Sequence, residues 1–330
     1  MPGTHILPLH APPGPVGKVW WEQIALPLAA QRLGVDVLHV PYWAPPYITP
    51  VPTLVTVHDI IPALLPAYRG SWAVRRYTGL VSATAKRAAR LLTDSEAARS
   101  DIIRHLRIPK AQVQAIYLAA DGTYTPNASP EDAQIRRDLG LQPGYLLYLG
   151  GFDIRKNLEA VFQAFARVHK ALGKECILVI AGKLPEKDSD FAPNPRRLMR
   201  EAGVPQEAVK LVGFVPEASK PALYRGARVF FFPSRYEGFG LPPLEAMACG
   251  TPVVGSNTAS LPEVVGKGGM LLAPDNIDGM AEALLEMLTN DERHEQIAAQ
   301  ALEQAARFSW KATAAATFAA YREVLCRTKS

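Results

Sequence analysis

Residues 230–248 read as the end of a strand, a glycine loop and the start of a helix, an order that demands a sheet with helices packed against it. Phe230-Phe231-Phe232 is an apolar run suited to a buried strand, and Pro233-Ser234 breaks it. Pro242 and Pro243 stand where a helix can begin, because proline is tolerated in the first turn. Gly238 and Gly240 allow backbone to come close to a ligand. A helix start carries unbonded N–H groups and a partial positive charge, which suits a diphosphate. Two glutamates, Glu237 and Glu245, stand eight positions apart and bracket the loop. Beside a phosphate, two carboxylates make sense as binders of hydroxyls, one on a ribose and one on a sugar. Glu245 is expected in the first turn of the helix. The plainer alternative is an acidic first turn that complements the helix dipole, after a loop that is only a loop.

The chain has 330 residues, of which 48% are hydrophobic, enough for two cores. It lacks the long apolar run of a transmembrane helix. Met1-Pro2-Gly3-Thr4-His5 lacks the basic-then-apolar order of a signal peptide. Cys176, Cys249 and Cys326 show no metal-ligand spacing, and the first two sit in apolar surroundings, which predicts buried packing residues and a cytoplasmic location. Residues 1–127 carry 12 Lys+Arg against 7 Asp+Glu, and the stretch 69–110 carries 10 against 3. That basic face predicts attraction to anionic partners, unless it is only a solvated surface. No nucleic-acid motif accompanies it, so nucleic acid is not expected as a partner.

Strands and helices alternate along the chain, which implies parallel sheets. Strands are expected at 35–40, 53–57, 113–118, 145–149, 176–181, 210–212, 229–232 and 252–255. Helices are expected at 72–90, 96–106 with Ser95 as N-cap, 157–172, 221–225, 241–248, 277–288, 291–307 and 310–326. Ala11–Gly17 reads as a loop before a helix at 19–33. The turn-rich stretch 121–130 is the expected linker. Two doubly wound domains would bind ligands at the carboxyl ends of their strands.

The segment Glu237–Glu245, continued by Ala246-Met247-Ala248-Cys249-Gly250-Thr251-Pro252-Val253-Val254, resembles the E-x7-E signature of retaining glycosyltransferases of family 4, the group called glycosyl transferases group 1. Tyr148–Asn157, Val179–Gly182, Val209–Val215 and Ser260–Gly266 resemble further motifs of that family in the same order. The resemblance implies an α/β GT-B fold: two Rossmann-like domains facing a cleft, with the last helix crossing back onto the first. The domains are then 1–127 on the acceptor side, 128–309 for the nucleotide sugar, and 310–330 as the returning helix. Relatives open with a strand and a glycine-rich loop that are not recognisable here, so the first domain is expected to be incomplete.

By the same resemblance, Arg155 and Lys156 meet the diphosphate, where charge-assisted bonds are strong. Gly150, Gly151, Gly213, Val215, Gly238, Phe239, Gly240, Leu241 and Glu245 bind the donor, and Glu237 the sugar. His58 ends a strand in Thr56-Val57-His58-Asp59, and the histidine of relatives contacts the donor sugar; Asp59 orients it or caps the next turn. His39, His105 and His169 read as surface or packing residues. The glutamates are not expected to act as a glycosidase pair. Asp188-Ser189-Asp190 is a D-x-D string in a polar loop and is set aside, so no metal and no cofactor is expected. The implied function is hexosyl transfer to a glycan or lipid-linked acceptor, with mannose from GDP-mannose as first guess and UDP-glucose and UDP-GlcNAc left open as donors. A peripheral contact with an anionic inner membrane face through 69–110 is expected. The alternatives are a non-catalytic nucleotide-binding partner and a sugar-nucleotide 2-epimerase of similar fold.

Overall fold

The computed structural model describes residues 5–328; the first four residues and the last two lie outside the described residues. Two compact units emerge, one of residues up to Tyr117 joined by those from Thr313, the other of Leu118–Ala312. Each is a parallel sheet flanked by helices.

In the first unit, β1 (Leu38–Val40), β2 (Thr53–Thr56), β3 (Arg90–Thr93) and β4 (Val113–Ala115) lie in the order β1-β2-β3-β4 among the described residues. Parallel pairing sets Val40 beside Val55, and Leu92 beside both Thr56 and Gln114. Parallel strands covered on both faces are apolar throughout, and Leu54, Val55 and Leu91 are fully buried. The closing helix Trp310–Thr328 packs on this sheet: Ala320 and Val324 cluster with Leu54, Leu92 and Ile116. His39 Nδ1 lies 2.6 Å from the Tyr321 hydroxyl, so this histidine has a structural partner on the last helix.

Two expectations for this unit change. The helix opening at Trp72 ends at Ala85, and Arg90 begins a buried strand. The charge disguises that strand in the sequence. Its guanidinium bonds the Ala111 carbonyl and pairs with Glu323, a partner 233 positions away. The segment Ala11–Gly17 is not all loop, because a helix starts at Gly14 with Pro15 in its first turn. It runs on through a π turn at Trp21–Ala25 into Leu26–Arg32. Pro27 lacks the N–H that an α ladder requires, and the Leu26 N–H reaches back to the Trp21 carbonyl.

In the second unit, β5 (Tyr145–Leu149), β6 (Leu178–Ala181), β7 (Val209–Gly213), β8 (Ala227–Phe232), β9 (Val253–Ser256) and β10 (Gly269–Leu272) form a parallel sheet in the order β10-β9-β8-β5-β6-β7. The chain winds outward from β5, returns to place β8 beside it, and winds outward the other way. Strand order therefore reverses at β5/β8, the switch point where loops part and a crevice opens. The helix Leu158–Leu172 presents Leu158, Val161, Phe162, Phe165 and Val168, at i, i+3, i+4, i+7 and i+10, to one face of this sheet. Strand β10 and the short helices Asp132–Asp138, Pro195–Glu201 and Leu261–Val265 went unread in the sequence, being brief and weakly patterned. Cys176 and Cys249 are buried as expected.

Leu54 is fully buried under the closing helix. Leu54→Ala should cost the first unit about 2–5 kcal/mol in denaturant unfolding, the range for buried leucine truncation. An unchanged midpoint would mean that this face does not hold the unit together.

Candidate active site

The switch point of the second unit is built from two loops, Gly150–Asn157 after β5 and Pro233–Gly240 after β8. They are tied together at several points. The Arg235 N–H donates to the Arg155 carbonyl at 2.8 Å. Asn157 donates from Nδ2 to the carbonyls of Pro233 (3.0 Å) and Pro274 (2.9 Å). Asn157 sits in the left-handed region at φ 56°, which asparagine tolerates, and the helix Leu158–Leu172 starts from it.

Glu237 is the centre of the site. Its carboxylate is buried and accepts from Lys156 Nζ at 2.7 Å, Arg155 Nη1 at 2.7 Å and Ser234 Oγ at 2.6 Å. Arg155 also donates to the Tyr236 carbonyl at 2.9 Å and lies 3.4 Å from Asp153. The Lys156 ammonium stands 5.0 Å over the Phe232 ring. A charge removed from water must be paired and hydrogen-bonded, and each of these three is. Two cations on one carboxylate leave a surplus positive charge at the loop, offset in part by Asp153. Arg155, Lys156 and Glu237 are thus brought together, with the two basic residues oriented by the glutamate.

Behind the ion pairs, the Tyr148 hydroxyl donates to the Gly151 carbonyl, and burial pushes this phenol well above its ordinary range. The Gly150 N–H bonds the Ala181 carbonyl and the Gly182 N–H bonds the Gly213 carbonyl, which ties together the carboxyl ends of β5, β6 and β7. At Gly182 an added Cβ would fall 2.1 Å from the Gly150 carbonyl oxygen, so only glycine fits. On that turn Gly213 has φ 73° and Val215 is buried, while the Phe214 ring between them is 73% exposed. In the sequence the one mark of Phe214 is its place, an aromatic directly after Gly213 at a strand's carboxyl end.

The helix Leu241–Ala248 starts from Gly240, whose φ of 115° strains any side chain, and an added Cβ would also crowd the Leu261 methyl carbon at 3.1 Å. Pro242 and Pro243 contribute no N–H groups, so a ligand here meets the Gly240–Leu241 backbone and the helix dipole rather than a full set of donors. Ser260 Oγ supports the loop by donating to the Glu237 and Phe239 carbonyls.

Glu245 requires a correction. It is the fifth helical residue and lies in the second turn, not the first, because the helix begins at Leu241. Its carboxylate accepts from the Tyr224 hydroxyl at 2.9 Å, and burial raises its pKa against that bond. Tyr124, which bonds Glu217, packs beside Tyr224. Glu237 and Glu245 therefore occupy different surroundings, one ion-paired and one ringed by phenols.

His58 belongs to the first unit. Asp94, at the end of β3, accepts from its Nδ1 at 2.7 Å. Asp59 instead caps the next turn by accepting from the Ile61 N–H at 2.9 Å. Asp94 and Ser234 were both missed in the sequence, where nothing marks them as neighbours of His58 and Glu237. Asp188 accepts from the Asn194 N–H and from Arg197, fastening its own loop.

The Glycosyl transferases group 1 profile matches residues 131–304, and the Glycosyltransferase Family 4 profile matches residues 3–122. The O-antigen chain mannosyltransferase B of Escherichia coli is 35% identical over 268 residues, covering 81% of this chain and 69% of that protein. The chain belongs to the glycosyl transferases group 1. It is a glycosyltransferase of two Rossmann-like domains. The Escherichia coli serotype-specific mannosyltransferase WbdA is 32% identical over 80% of this chain, which spans only 32% of WbdA. In fold, the chain is similar to Anabaena Alr3699/HepE, solved in complex with UDP and glucose. The TM-score is 0.66 at 22% identity, covering 82% of this chain and 72% of that one.

Removing the Glu237 charge should strand two poorly solvated cations. Glu237→Gln is expected to destabilise the second unit by about 3–5 kcal/mol in urea unfolding, the cost of breaking a buried pair from one side. Lys156→Met in the same chain should recover part of that loss. A neutral result for Glu237→Gln alone would mean that the pairs contribute nothing to the loop structure.

Proposed function

We propose that this glycosyltransferase moves a hexose, mannose first, from a nucleotide-diphosphate sugar to a glycan or lipid-linked acceptor with retention of configuration. The observation that carries the reading is the convergence of Arg155, Lys156 and Glu237 on the switch point beside the glycine-started helix. Cationic donors there complement the diphosphate and the charge that builds on it as the sugar leaves. Mannose is supported by the two Escherichia coli mannosyltransferase relatives, and a nucleotide sugar by the UDP and glucose held by the HepE structure.

In this reading Lys156 and Arg155 hold the diphosphate, and Glu237 orients them while offering its carboxylate to sugar hydroxyls. Gly150, Gly151, Gly238, Phe239, Gly240 and Leu241 bring backbone to the donor. Gly213, Phe214 and Val215 meet the base, and Glu245 the ribose. The C1–O bond to the β-phosphate breaks and the acceptor oxygen bonds C1 on the same face. The acceptor proton passes to the leaving phosphate oxygen. The basic pair and the helix dipole take the part a metal plays elsewhere.

The first unit carries the acceptor side. No helix among the described residues is long and apolar enough to cross a membrane. Trp72, Val74, Val16 and Trp20 are exposed along a groove of about 1040 Å³ on the basic first unit. Arg76 lies over the Trp72 ring at 4.3 Å. Exposed tryptophan with arginine fits an anionic lipid surface.

Calorimetry with GDP and UDP should detect binding, and Lys156→Ala should weaken it roughly ten- to a hundredfold, the worth of a hydrogen bond to a charged group. Unchanged affinity would remove Lys156 from the donor site. Transfer from GDP-mannose should persist in EDTA; loss restored by Mn²⁺ would overturn the metal-free assignment. Sedimentation with vesicles should show binding to anionic lipid that salt weakens, screening being about 10 Å at 0.1 M. Equal binding to neutral vesicles, or none to either, would end the membrane assignment.

A further inference from the structure

We propose that Asp94 and the Pro41 carbonyl hold His58 as an imidazolium, that this cation is the form in which His58 serves the transfer reaction, and that Asp94 is the residue that positions it. The inference rests on the assignment of His58 to glycosyl transfer. It starts from the two partners of the ring. Nδ1 lies 2.7 Å from Asp94 Oδ2, and Nε2 lies 3.2 Å from the Pro41 oxygen. A carboxylate and a backbone carbonyl can only accept. For both contacts to be hydrogen bonds, both ring nitrogens must carry protons, and such a ring is charged.

His58 lies two residues past the end of β2; His39, in β1, shows the contrast. Its partners are the Tyr321 and Thr56 hydroxyls, at 2.6 and 2.8 Å. Hydroxyls donate or accept as required, so a neutral His39 satisfies both. Burial, then the neighbouring His58, lowers the pKa of His39. For His58 the balance runs the other way. The Asp94 hydrogen bond raises it most, burial opposes, and the charges of Asp94 and Asp59 and the Pro41 bond add to the rise. Asp94, Asp59 and His39 are the titratable groups acting on the ring.

Asp94 is well placed to act as a fixed anchor. It is 5% exposed, directly after β3 and immediately before Ser95, whose hydroxyl caps the helix Glu96–Leu106. The His58 side chain is 54% exposed, so substrate can reach it. The Pro41 bond is the longer of the two. A sugar or phosphoryl oxygen can take over the Nε2 proton while Asp94 keeps the ring oriented, giving a charge-assisted donor to the substrate. His58 then acts as a cation rather than as a general base.

The sign of the pH dependence follows. The imidazolium is lost as pH rises through a raised pKa, so the rate should fall on the alkaline side. The ¹⁵N spectrum of the wild-type protein reports the charge state without any assay of transfer. Both His58 nitrogens are expected in the protonated range at neutral pH, with a titration above the ordinary histidine value. Asp94→Asn keeps the shape but removes the charge, and should move that titration to lower pH. The alkaline limb of kcat for mannosyl transfer should move with it, and kcat at pH 8 should fall about 10- to 100-fold, the worth of one bond to a charged group. One bare nitrogen in wild type at neutral pH, or a titration unmoved by Asp94→Asn, would overturn the proposal. An alkaline limb that ignores the His58 titration would overturn the role of the cation in transfer. Loss of donor binding in Lys156→Ala would meanwhile leave the donor site standing, so the two readings fail separately.

Discussion

The second unit depends on one carboxylate. Glu237 stands on one of two loops that leave adjacent parallel strands, and its two oxygens hold a lysine and an arginine of the other loop and a serine of its own. Without it, the two cations would repel each other across a few ångströms of poorly solvated space. With it, they are pre-positioned, and in the proposed reaction a diphosphate would meet donors whose orientation has already been fixed. Preorganised charge of this kind is effective because nothing has to turn when the reaction's own charge appears.

That carboxylate is where it is because of the sheet. Strands β5 and β8 are neighbours although 77 residues lie between Leu149 and Ala227, and the chain reverses its winding direction between them. The reversal parts the loops and leaves their backbone groups without a covering helix. Glycine then does what other residues cannot, at Gly182 against the Gly150 carbonyl and at Gly240 in the left-handed region. Tyr148, Asn157 and Ser260 donate to backbone carbonyls of these loops, so the site stands on hydrogen-bonded support.

The first unit uses the same logic with different parts. Its sheet is closed on one side by a helix from the far end of the chain, held by Leu54, Ala320 and Val324 and by the Arg90 and His39 contacts to Glu323 and Tyr321. Two histidines, one in β1 and one two residues past the end of β2, differ in what they can do because their partners differ: hydroxyls around His39, obligate acceptors around His58. The chemistry of each ring is set by its neighbours rather than by its position along a strand.

The sequence by itself determined the alternation of strands and helices, the E-x7-E loop with its proline helix start, and the Arg155–Lys156 pair. These are local signals: apolar runs of strand length, glycine and proline at fixed offsets, and charges beside a turn. It also determined the segments that later packed as expected, Tyr145–Leu149 and Leu241–Ala248. Only the tertiary structure decided who meets whom. Arg90 looked like the end of a surface helix until Glu323 paired with it. Glu245 looked like a first-turn acid until the start at Leu241 put it a turn later, against Tyr224. Asp94 and Ser234 carried no sign of their task, since a hydrogen bond between residues distant along the chain leaves no periodicity to read. Local propensity is written in neighbouring residues, whereas a site is written in the distances that folding alone creates.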